Sequence, residues 1–118
     1  MGVYWLPIYQ GAAPASPTSV FTGSASRYGR AAVKAINITN NAYTPVQVWV
    51  WCLPSGVTDT ADAYLIVPGW VLPAADLSRG GSSRQWTGFQ VIMEGDQILV
   101  SGTPGGQAAV QIMGGYQK

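Results

Sequence analysis

The chain has 118 residues, of which 47% are hydrophobic and only 9% are charged. Six basic and five acidic residues give a net charge of +1, without the cluster of positive charge that nucleic-acid binding requires. Histidine is absent, which removes the commonest general base and most catalytic metal sites. The length suits one domain, and the low charge predicts that partner proteins cover much of its surface.

The N-terminal segment combines aromatic residues with prolines. Its side chains are too apolar for a free tail, whereas Pro7, Pro14 and Pro17 oppose helix and central-strand pairing. We expect residues 1–17 to form an extended arm that packs on a neighbouring subunit, ahead of a domain over residues 18–118. The alternative is that the arm folds back as an edge strand of its own domain. The segment has no basic n-region, so we expect no secretory signal.

The rest of the chain alternates short apolar runs with Gly, Pro, Ser and Asp. The patterns predict strands at residues 30–39, 46–52, 63–67, 70–72, 85–93, 97–101 and 108–113. A tight turn is expected at Glu94-Gly95-Asp96, where glycine supplies a positive φ if needed. No helical period persists, so we predict an all-β fold: a single antiparallel β-sandwich or jelly-roll-like domain.

The run from Val46 to Cys52 is apolar on both faces. Its valines alternate with Trp49 and Trp51, so the strand needs cover on both sides. One cover is the domain core, and we expect the other to be a neighbouring subunit. The alternative is a loop of the same chain, such as residues 70–77, folded over the two tryptophans.

The carboxylates and the cysteine show no pattern typical of catalysis. Glu94 and Asp96 flank a turn glycine, Asp59 and Asp62 lie in a loop, and none has the spacing of a metal loop. The single Cys52 lies in an apolar run and is expected to be buried and inert. We therefore expect no catalytic residue, no metal and no cofactor, and no apolar run is long enough for a membrane helix.

Aromatic residues are the remaining resource for binding, because Trp and Tyr dominate interface hot spots. An aromatic platform for carbohydrate is a further possibility. The sequence predicts an interface that uses aromatic and aliphatic side chains of the arm and of the strands: Tyr4, Trp5, Ile8, Tyr9, Trp49, Trp51 and Trp70.

Several segments between Lys34 and Tyr116 resemble small β-sandwich structural proteins of tailed bacteriophages. The resembling segments are Ile36-Asn37-Ile38-Thr39-Asn40, Val46-Gln47-Val48-Trp49-Val50, Tyr64-Leu65-Ile66-Val67-Pro68, Met93-Glu94-Gly95-Asp96-Gln97-Ile98 and Ala109-Val110-Gln111-Ile112. The resemblance implies a non-enzymatic virion subunit that binds identical subunits and capsid, neck or tail proteins. It is expected to be a capsid decoration or cement protein, with a neck or tail accessory subunit and a host-surface or carbohydrate-binding module as alternatives. Such a protein is made and assembled in the host bacterial cytoplasm.

Overall fold

The structure is a computed structural model that describes residues 4–78 and 80–117. Two short helical turns, Ala25–Tyr28 and Asp62–Tyr64, interrupt a chain of strands. The strands are β1 (Tyr4–Ala12), β2 (Thr18–Thr22), β3 (Arg30–Asn40), β4 (Val46–Leu53), β5 (Leu65–Leu72), β6 (Ser82–Ile92), β7 (Gln97–Thr103) and β8 (Ala109–Gln117). The all-β prediction is confirmed. No helix in the described ranges has the length and apolar character of a membrane span.

The strands form two four-stranded antiparallel sheets. The first sheet has the order β1-β8-β3-β6, and the second has the order β2-β7-β4-β5. Every connection except the one between β4 and β5 crosses from one sheet to the other, which gives the eight-stranded jelly roll. Each sheet therefore turns one face to the common core and the other face outward.

The core lies between the inner faces of the two sheets. On β4, Val46, Val48 and Val50 are fully buried, and on β3 the same is true of Ile36 and Ile38. This is the alternation that the sequence predicts, because every second residue of a strand faces the same side. Both strands lie inside their sheets, with β4 between β7 and β5 and β3 between β8 and β6.

The expectation that residues 1–17 reach away from the domain is wrong for the described residues 4–17. Strand β1 pairs with β8 from Tyr4 to Ala12, so the arm folds back as an edge strand. The linker beyond it is also bound to its own domain, because Gly102 N donates to Pro14 O at 2.8 Å. Pro7 is compatible with this position, since an edge strand can leave one side of its backbone unpaired.

Two further details differ from the strand prediction. Strand β2 was not predicted, and residues 63–67 and 70–72 belong largely to one strand, β5, which begins at Leu65. The register between β4 and β5 shifts at Gly69, and this glycine accommodates the β-bulge with a φ of 74°. A side chain at Gly69 would also meet the indole of Trp49, since a Cβ there would lie 2.7 Å from Trp49 Nε1.

Asn40 at the end of β3 ties three segments together. Its fully buried side chain donates from Nδ2 to Thr44 O at 2.9 Å and to Pro73 O at 3.1 Å. Its Oδ1 accepts from Ala42 N at 3.1 Å and from Gln107 Nε2 at 3.3 Å. The residue that ends β3 therefore also fixes the loops beside it.

Candidate interaction surface

The outer face of the first sheet carries side chains in rows that cross all four strands. One row contains Trp5, Gly115, Ala32 and Val91, because these residues are direct partners along β1-β8-β3-β6. Directly paired residues point to the same face of a sheet. Trp5 is 77% exposed, which identifies this face as the outer one.

A second row consists of four amide side chains. Gln10 pairs with Gln111, Gln111 with Asn37, and Asn37 with Gln85. We call these four residues the amide row. A shallow groove of about 510 Å³ lies over part of it and is lined by Asn37, Thr39, Ser83, Arg84, Gln85 and Gln111. Apart from Arg84, the side chains that line this groove are uncharged hydrogen-bond donors and acceptors.

The other end of the face is apolar and exposed. On β6 and just beyond it, Phe89, Val91 and Met93 occupy alternate positions and are 66%, 44% and 64% exposed. The ammonium of Lys34 lies 5.1 Å from the centroid of the Phe89 ring, so its charge is placed against an aromatic face. Outward-facing positions of a sandwich strand are usually polar, so this cluster is available for a partner.

A smaller groove lies beside Trp5 on the same sheet. It has a volume of about 300 Å³ and is lined by Tyr4, Trp5, Lys34, Gly114 and Gly115. The glycines leave space between the exposed indole and the lysine. The groove therefore has the indole of Trp5 on one side and the ammonium of Lys34, a hydrogen-bond donor, on the other.

All four predicted interface residues of the arm lie on β1, with different exposures. Tyr4 and Trp5 are exposed, whereas Ile8 is buried in the core. Tyr9 packs partly against the core and donates from its hydroxyl to Ala12 O at 2.7 Å. Only Tyr4 and Trp5 therefore present a largely free surface, and Ile8 is not positioned to contact a partner in this structure.

Trp51 and Trp49 lie on the outer face of the second sheet. Trp51 is buried with Leu53 and Leu99 in a small cluster, and Trp49 is partly buried beside it. The cover comes from Val57 and Tyr64, which belong to the connection between β4 and β5. This agrees with the alternative that a loop of the same chain covers the tryptophans, although the loop is not residues 70–77.

Trp70 lies on β5, at the edge of the second sheet. Its side chain packs partly against the core, and the guanidinium carbon of Arg84 lies 4.1 Å from its ring centroid. Trp70 belongs to β5 and Arg84 to β6, so the pair joins the edge strands of the two sheets. The predicted interface residues are thus divided between the two sheets and do not form one patch.

Glu94 and Asp96, two of the four carboxylates considered above, accept hydrogen bonds from the backbone. Glu94 Oε2 accepts from Ala25 N, at the start of the first helical turn. Asp96 accepts from Ser55 N at 3.0 Å through one oxygen and from Met93 N at 2.8 Å through the other. The predicted turn is present, with Gly95 at a φ of 80°. Within the described residues, no three His, Cys, Asp or Glu side chains meet as a metal site.

The predicted burial of Cys52 is confirmed. Its side chain belongs to the main core. Burial, and secondarily the charge of Asp96, raises the pKa of the Cys52 thiol to about 11. The thiol is therefore protonated and unreactive at neutral pH.

The sequence analysis missed Phe89, Val91 and Met93 and the amide row. A signal for the first group was available, because the predicted strand 85–93 carries Trp86 and Ile92 on one face and these residues on the other. No comparable signal exists for the amide row, since its members come from four distant segments. No protein-family model and no curated protein sequence matches this chain.

Proposed function

We propose that this chain is a non-enzymatic structural subunit of a bacteriophage particle, and specifically a capsid decoration protein. It packs against sister subunits and the shell through the outer face of the first sheet. The observation that carries the proposal is the exposed apolar end of that face, where Phe89, Val91 and Met93 occupy alternate positions across from Trp5.

Physical arguments support an assembly role for this face. Aromatic and aliphatic side chains of this size contribute roughly 1.5–3 kcal/mol each when they are buried. A surface with few charges also loses little to the desolvation of ions when a partner covers it. Jelly rolls serve in viral capsid domains, an analogy at the level of the fold that is compatible with this role. Glu94 and Asp96 are bound to backbone N–H groups, which supports a structural use of these carboxylates.

The proposal is tested on particles of the phage that encodes the chain. We expect the chain in gradient-purified particles by mass spectrometry, in many copies per particle. Electron microscopy of labelled particles then distinguishes the head from the neck and the tail. Absence of the chain from purified particles would contradict the virion role, and labelling at the neck or tail would replace decoration by an accessory role.

A matched pair of variants tests the face itself. Phe89→Ser with Val91→Ser removes two exposed apolar side chains from the first sheet. Leu77→Ser with Val71→Ser removes two exposed apolar side chains that lie elsewhere on the surface. Particles that lack the chain should bind the control variant as they bind the wild type, and bind the first variant at least about tenfold more weakly. Equal binding of both variants would exclude this face as the contact.

A second candidate function is carbohydrate binding on the host surface. The observation that favours it is the groove in which Trp5 and Lys34 flank Gly115, on the same face as the amide row. Indole rings stack on sugars, and amides bind their hydroxyl groups. Neutral oligosaccharides should then change the tryptophan fluorescence of the wild type but not of Trp5→Ala. Unchanged fluorescence across a panel of glycans would contradict carbohydrate binding, and the structural role would be the one function left.

A further inference from the structure

The four edge strands of the sandwich differ in how they resist pairing with another chain. Proteins protect exposed edges with prolines, short strands, irregular register and charges. Strand β1 contains Pro7, β5 contains Pro68, and β2 has only five residues. All three also have register shifts against their neighbours.

Strand β6 lacks most of this protection. It has 11 residues and no proline, and its register with β3 is continuous from Ser82 to Thr87. The irregularity of β6 lies beyond this stretch, opposite Lys34. Its one charged residue, Arg84, is held over Trp70 on the inner side. The first six residues of β6 thus form a regular edge of about 20 Å.

We propose that this edge of β6 pairs antiparallel with β6 of a second copy of the chain, around a two-fold axis at Gln85. The proposal rests on the proposed function, because it identifies one contact between sister subunits. It joins the first sheets of two copies into one eight-stranded sheet. A two-fold contact uses the same surface on both copies, so the edge must be complementary to itself.

The sequence of the edge meets this requirement in the register centred on Gln85. With Gln85 opposite Gln85 of the second copy, Ser83 faces Thr87 and Arg84 faces Trp86. Hydroxyl pairs and a cation beside an aromatic ring are favourable cross-strand neighbours. An axis at Arg84 would instead place two guanidinium groups opposite each other, which is unfavourable.

The same register extends the surface described above. The amide row ends at Gln85, so the pairing joins two amide rows into one row of eight side chains across the dimer. Stacked Asn and Gln side chains stabilise extended sheets through hydrogen bonds between their amides. The exposed Phe89 of each copy lies outside the paired stretch, so it stays free for a third partner.

The test measures the mass of the full-length protein in solution by sedimentation equilibrium. We expect the wild type to be dimeric at a concentration on the order of 100 μM. Gln85→Lys and Gln85→Glu each place like charges opposite each other and should raise the dimer dissociation constant at least about tenfold. A 1:1 mixture of the two variants should restore the dimer, because the ammonium introduced in one copy then faces the carboxylate introduced in the other.

The control is Gln111→Lys, which makes the same substitution in the same row but on the interior strand β8. It should dimerise like the wild type, and circular dichroism should show that all variants are folded. A monomeric wild type, a Gln85→Lys variant with the wild-type dissociation constant, or a mixture that dimerises no more tightly than the single variants would each overturn the proposal. These results concern the isolated chain and are independent of whether particles contain it, so failure of this contact is distinguishable from failure of the virion role.

Discussion

The guanidinium carbon of Arg84 lies 4.1 Å from the centroid of the Trp70 ring, and this contact bridges the edge strands of the two sheets. Partly exposed cation–π pairs contribute about 0.5–1 kcal/mol. Arg84→Ala should lower the free energy of unfolding by this amount, measured by urea denaturation at a concentration where the chain is monomeric, and should alter the tryptophan fluorescence. Arg27→Ala is the control, because Arg27 lies 5.2 Å from the ring of Tyr28, which is on the same helical turn. An equal loss in both variants would show that Arg84 has no bridging role.

Trp51 is expected to stabilise the single chain. It is buried with Leu53 and Leu99, so Trp51→Ala should cost about 3–5 kcal/mol of unfolding free energy. Trp51→Phe should cost much less, because no acceptor in the described residues bonds the buried Nε1 and phenylalanine removes this donor. Chemical denaturation at a concentration where the chain is monomeric measures both values. A Trp51→Ala variant of wild-type stability would contradict the described packing.

Strand β1 is expected to be necessary for folding. Leu6 and Ile8 are buried, so Leu6→Ala and Ile8→Ala should each cost about 2–4 kcal/mol. Trp5 lies on the same strand but is exposed, so Trp5→Ser should change stability by less than about 0.5 kcal/mol. Deletion of residues 1–12 removes the whole strand and should abolish the cooperative thermal transition. A deletion variant that stays folded would favour the alternative that the segment is an arm that packs on a neighbouring subunit.

The pKa of Cys52 predicts how stability depends on alkaline pH. Burial raises the pKa of the folded thiol from 9.0 to about 11. The unfolded thiol therefore loses its proton between pH 9 and 11 while the folded thiol keeps it, so stability falls as the pH rises through this window. The wild type should lose about 2 kcal/mol more than Cys52→Val over this range. Parallel pH profiles of the two proteins would show that the thiol does not titrate in this way.

The sequence by itself determined the class of fold and its central strands. Alternating Val46, Val48 and Val50 requires a strand with one face in the core, and the glycine between Glu94 and Asp96 requires a turn. These features depend on residues that are close along the chain, so local sterics and the side-chain period are sufficient to predict them.

Only the tertiary structure decided where the remaining surfaces lie. The sequence of the proline-containing arm is compatible both with an arm that packs on a neighbouring subunit and with an edge strand. Its pairing with β8, about 100 residues away along the chain, makes it an edge strand. The cover of Trp51 likewise depended on the path of the β4–β5 connection. The amide row exists because the register of three strand pairs aligns Gln10, Gln111, Asn37 and Gln85. Register is set jointly by the core contacts of all four strands, so no single segment of the sequence contains it.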